Sequence, residues 1–131
     1  MKAWTKPKDV KDLRENGRII LAHGEVTGHV HEVIDEAIAG IQPVEYFEEP
    51  DGTRMLLSLS PRPFVHDEHG RIELDPVAAE QGAELLRQGV PPGTVIPGQY
   101  RQGDVLLHPR GFGAWEVKRQ QERRPEGWHV V

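Results

Sequence analysis

Cysteine is absent from the 131 residues. That absence removes disulfide frameworks, thiolate metal sites, thiol nucleophiles and cysteine-held iron–sulfur clusters together, so any metal must be bound through nitrogen and oxygen. Aromatic residues make up only 6% of the chain while 28% of it is charged, and no uncharged apolar stretch approaches the roughly 20 residues of a membrane span. No membrane partner is expected. The start, Met1 to Lys8, is basic but is not followed by the apolar run of a signal peptide, so a cytoplasmic protein is the expectation, with a virion as the other setting weighed. Acidic side chains outnumber basic ones by 21 to 16, a net charge of −5, which disfavours a phosphate backbone as partner. The basic run from Lys118 to Arg124 is offset by Glu116, Glu122 and Glu126, and nucleic acid is not expected.

Two catalytic signatures are missing as well. No serine sits in a G-x-S-x-G elbow, and Gly111-Phe112-Gly113 lacks the third glycine and the following helix of a phosphate-binding loop. Glu48-Glu49 and Asp67-Glu68 are adjacent pairs, which on a strand face opposite ways and make poor acid–base partners.

What is present is enough apolar material for a core, 37% of residues, and many turn formers, 14 Gly and 11 Pro. Residues 1–131 read as one β-rich domain. The stretch Lys8 to Asn16 suits a short helical turn closed at Asn16-Gly17. Ile19 to Ala22 and the β-branched run Glu25 to Ile34 suit two strands meeting near Gly24. Val44–Glu48 and Met55–Leu59 flank Pro50-Asp51-Gly52-Thr53, a turn in which proline presets the backbone and glycine supplies positive φ. Pro61 and Pro63 make Phe64-Val65-His66 a short or edge strand, and Arg71 to Leu74 alternates as a half-buried strand does.

Asp75-Pro76 opens a helix that Gly89 stops, with Asp as N-cap and Pro in the first turn. Val105–His108, Ala114–Val117 and Trp128–Val131 are the last strand candidates, with His108-Pro109 read as entering a loop. Short strands at near-regular spacing predict a mainly β fold, a small barrel or sandwich with one inserted helix, residues 75–113 forming a helix and a Gly/Pro-rich insertion.

Five of seven histidines fall in two clusters, His23-Gly-Glu25-Val-Thr-Gly-His29-Val-His31 and His66-Asp-Glu-His69. Side chains alternate along a strand, so His29 and His31 share a face, and Glu25 shares their parity if no bulge intervenes. Should the two segments be neighbours, His29, His31, His66 and His69 can meet one divalent ion, with His23 or Glu25 at its edge. Zinc, or another first-row ion, is the expected cofactor. Four imidazoles would fill a zinc shell and make the site structural, whereas an open position would allow activation of bound water. His108 and His129, isolated in sequence, read as structural.

Two resemblances attach to these residues. His29-Val-His31 followed by Glu36, with Val90-Pro-Pro-Gly-Thr94 further on, resembles the two motifs of the cupin superfamily, which implies a metal-binding β-barrel. No glycine follows Glu36 at the cupin place, and Val95 stands where a cupin metal histidine is often found. The series His23-Gly-Glu-Val-Thr-Gly-His29-Val-His31, then His66-Asp-Glu-His69, then Lys118-Arg-Gln-Gln-Glu122-Arg-Arg-Pro125 resembles short uncharacterised bacterial and phage-associated proteins with H-G-E-x-T-G-H-x-H and H-x-E-H boxes. That likeness implies that the two boxes act as one unit and assigns no activity. The expected function is therefore a histidine-rich, divalent-metal-binding small β-barrel. The other reading is a structural or interaction component, such as a virion-associated or assembly protein or a homo-oligomer, in which the boxes hold strands together and the Trp4, Trp115 or Trp128 side chains meet a partner.

Overall fold

The computed structural model describes residues 5–23, 29–66 and 69–119. The strands in chain order are β1 (Lys11–Asp12), β2 (Ile19–His23), β3 (Val30–Val33), β4 (Glu45–Glu48), β5 (Arg54–Leu57), β6 (Arg62–His66) and β7 (His69–Leu74); α1 (Pro76–Gln88) follows, then β8 (Tyr100–Gln102), β9 (Val105–Gly111) and β10 (Ala114–Arg119). They form two antiparallel sheets, ordered β1-β4-β5-β10-β9-β8 and β2-β3-β6-β7. The fold is mainly β and sandwich-like; the described strands make no closed barrel. Candidate strand 128–131, Trp4 and Trp128 lie outside the described residues.

One core joins the sheets. Ile19, Val33, Phe64 and Leu74 from the smaller sheet pack with Leu56, Leu107 and Trp115 from the larger one. Full burial of such side chains contributes about 1.5–3 kcal/mol each, before the entropy of ordering them. Trp115 is wholly buried and donates from Nε1 to the Gly98 carbonyl at 2.7 Å, which meets the polar need of a buried indole. It therefore presents no surface to a partner.

The turn chemistry places β4 and β5 as expected, with Glu48 opposite Arg54 across Pro50-Asp51-Gly52-Thr53. The helix also starts and stops at its expected caps: Asp75 accepts from the Val77 amide at 3.0 Å and Gly89 stands at φ 79°. Its fit against the 96–99 loop depends on two glycines. A Cβ at Gly82 would lie 1.8 Å from the Pro97 carbonyl oxygen, and one at Gly98 would lie 2.4 Å from the Ala79 nitrogen.

Three expectations are corrected. Lys8 to Asn16 is not helical: β1 pairs with β4, and Glu15 bridges Arg18 around Asn16 (φ 52°) and Gly17 (φ 78°), the two positive-φ residues of a tight hairpin turn. Phe64-Val65-His66 is interior to its sheet rather than at an edge. Pro63 is tolerated there because β3 pairing ends at Val33–Phe64, and beyond it only the Pro63 carbonyl is used, accepting from Ile34 at 2.9 Å. His108-Pro109 lies within β9, where Pro109 pairs with Trp115 beside a bulge and beyond the reach of β8. Residues 75–113 supply α1 together with β8 and β9 of the larger sheet.

Candidate functional site

The histidine site is built where β3 and β6 lie side by side. Glu32 pairs with Val65 and Val33 with Phe64, which carries His31 and His66 to the same end of the two strands. His31 is 3% exposed and His66 8% exposed, and their ring centroids are 4.2 Å apart with a 31° tilt. His29, half-buried just before β3, meets His66 edge to face at 6.0 Å. Three imidazoles from two segments thus share one small volume. Period-two alternation underlies this convergence, bringing His29 and His31 toward the same neighbour.

The other sequence candidates fall differently. His69 is paired through its backbone with His66 in the β6–β7 hairpin. His23 is exposed at the end of β2 and bonds to Glu15, Nε2 lying 3.0 Å from one carboxylate oxygen, instead of joining the cluster. Glu25, Asp67, Glu68 and His129 lie outside the described residues. His108 is half-buried in a groove of about 260 Å³ between α1 and β9–β10, lined also by Arg87, Arg110 and Lys118 and by none of the cluster histidines. Burial pushes its pKa down, and the nearby Lys118 and Arg110 charges push the same way.

The decisive side chain in the site is one that motif reading passes over. Gln102, on β8 of the larger sheet, is 2% exposed, and its amide nitrogen donates to the Phe64 and Gly70 carbonyls at 3.2 Å each. Both hydrogens are thereby used, and its oxygen faces His31 Nδ1 at 2.9 Å. A carboxamide oxygen only accepts, so Nδ1 carries the proton and, in the neutral ring, Nε2 keeps its lone pair. That nitrogen lies 3.7 Å from Asp104 Oδ1, beyond hydrogen-bonding distance.

Asp104 follows in the same β8–β9 turn, and its other oxygen is held by Arg119, at 2.6 Å from Nη2 and 3.1 Å from Nε. Burial pushes its carboxyl up, but the Arg119 hydrogen bond and charge outweigh this and leave it below the usual carboxylate range. It is ionised at neutral pH. Neither Gln102 nor Asp104 stands in a recognisable ligand spacing. The signal that could have found them is Gly103-Asp104, a hairpin-type turn with Gly103 at φ 61°, which pairs Tyr100–Gln102 with Val105–Leu107.

Among the described residues, no three His, Asp or Glu side chains are already set to hold an ion.

The family described as Domain of unknown function (DUF8820) matches residues 2–76, more than half of the chain. No curated protein and no solved structure matches it.

Proposed function

The chain belongs to this family of unknown function, and we propose that in this member the buried histidine cluster binds a first-row divalent metal ion, zinc foremost. The observation that carries the proposal is the convergence of His29, His31 and His66 from separate segments, with centroid separations of 4.2 and 6.0 Å. Imidazole nitrogen suits zinc, nickel, copper and iron, and a chain without cysteine offers no thiolate to compete. His69, whose backbone pairs with His66, is the further candidate of the proposed set.

Metal analysis of untagged protein, followed by calorimetric titration with Zn²⁺, tests the reading. Wild type binds one equivalent; His31→Ala and His66→Ala lose that binding, and His108→Ala keeps it. Equal uptake by all four proteins would remove the site. A second reading has a specific observation in its favour: the three hydrogen bonds of Gln102 already join the two sheets, and the His31–His66 ring contact joins β3 to β6 within one of them, which fits a structural or assembly component. Metal-free wild type that forms a defined oligomer in light scattering would favour it.

A further inference from the structure

We propose that the groove between α1 and β9–β10 is a binding site for a small organic dianion, a phosphate monoester carried on a compact apolar group. It stands apart from the histidine cluster, none of whose rings line it. Strand pairing builds its floor. β8 follows β9 only as far as Leu107, and past that point α1 packs where a strand neighbour would stand. His108 lies opposite Glu116 across the β9–β10 pairing, and period-two alternation puts Lys118 on the same face. Arg110 reaches that face from the bulge, its Nη1 lying 2.5 Å from Glu116 Oε1.

The charges around the groove do not cancel. Arg87, Arg110 and Lys118 meet Glu116 as the one lining carboxylate, which leaves two positive charges in a chain whose net charge is −5. Arg110 gives Glu116 a single donor, and Arg87 gives one to Glu84 in an exposed i,i+3 pair. Such pairs hold a guanidinium weakly, and the other donors of each fork stay open to a ligand. Among the described residues Lys118 has no ion pair, whereas Glu116 and Arg119 on the same strand are paired with Arg110 and Asp104. A phosphate monoester brings about two negative charges and three acceptor oxygens at neutral pH, which matches both the surplus charge and the forked donors. Leu86 and Pro109 also line the groove and give an apolar group its contact. The volume, about 260 Å³, lies just under the roughly 300–1,000 Å³ of pockets for drug-sized ligands, so the apolar part is a single ring or a short chain. His108, half-buried among Arg87, Arg110, Lys118 and Glu116, is the natural reporter, since a dianion arriving beside the ring favours its protonated form.

Titrating phenyl phosphate, inorganic phosphate and benzoate into the full chain, with the His108 ring resonances followed by NMR, tests the assignment. Phenyl phosphate should give a saturable shift and move the His108 titration midpoint upward, and it should bind more tightly than either of the other two. Lys118→Gln should weaken it about tenfold, the loss of one charge-assisted contact, while Lys118→Arg should keep most of the affinity. Lys11→Gln removes the same charge from the exposed strand β1 and should bind as wild type does. Amide spectra unchanged away from each substituted strand verify the folds. A His108 resonance that phenyl phosphate leaves unmoved, or equal weakening by Lys118→Gln and Lys11→Gln, would overturn the site. Inorganic phosphate or benzoate binding as tightly as phenyl phosphate would overturn the choice of a phosphate monoester.

Discussion

Two polar clusters lie buried among the described residues, and they are held together by different physics. Around His31 the hydrogen-bonding groups meet in register: Gln102 uses its oxygen and both amide hydrogens on three partners from the opposite sheet. The second cluster is ionic. Asp35 sits between Arg14, at 2.7 Å, and Arg62, at 3.6 Å, with the Asp35 and Arg62 side chains only 9% and 4% exposed, while Arg14 also donates to the Val44 carbonyl and Arg62 to the Glu36 carbonyl. Yet Asp35 Oδ1 and Arg62 Nε make no hydrogen bond there. A carboxamide with its oxygen and both hydrogens engaged fixes orientation, whereas a buried ionic cluster mainly stops a charge from being stranded. The contrast teaches that burial alone does not mark a chemical site; what marks the first is an orientation imposed on a titratable ring.

Breaking the ionic cluster should have the largest effect on stability. Asp35→Ala leaves two guanidinium groups facing each other in a largely dry place and should cost about 3–5 kcal/mol in urea unfolding. Replacing both partners, as in Asp35→Leu with Arg62→Leu, should recover most of that loss, because the desolvation penalty leaves with the charges. A double variant as unstable as the single one would mean that Arg14 and the carbonyls depend on Asp35 for more than charge. Gln102→Leu comes next, at about 1–3 kcal/mol, since it strands two carbonyls and the His31 Nδ1 hydrogen. It should also release the His31 tautomer, an outcome that no variant of the ionic cluster should share.

The smallest effect belongs to His108, a histidine outside both clusters. Its folded pKa is lowered, so between that value and the ordinary one near 6.5 the unfolded chain binds more protons. Stability from this residue is present above about pH 6.5 and is lost as pH falls through the window. Relative to His108→Asn, wild type should therefore lose slightly more in Tm between pH 7 and pH 5, an effect smaller than either of the preceding ones. A gap that stays constant with pH would place the ring in ordinary solvent.

Much of the fold is legible locally. Asp75-Pro76 and Gly89 mark the helix because capping needs only neighbouring residues, and Pro50-Asp51-Gly52 marks the β4–β5 hairpin because the turn decides the register. The approach of His29 and His31 to His66 is legible through strand parity once the two segments are taken as neighbours. What escapes is set by long-range pairing. Gln102 lies 71 residues from His31 and Arg14 lies 21 from Asp35; a lone glutamine or arginine carries no spacing to announce its partner. Asn16-Gly17 misleads for a different reason, since positive φ serves a helix end and a hairpin equally well.

The stretch matched by the family, residues 2–76, holds every strand of the smaller sheet but only β1, β4 and β5 of the larger one. It has no self-contained interior. Cut after Pro76, it would lose Trp115, Leu107 and Val105 from beneath Phe64 and Leu56, along with the amide that latches His31. The histidine-bearing half is thus a lock whose bolt is carried by the other half, so the ring geometry cannot be inherited through the first portion unless the remainder supplies an equivalent clasp.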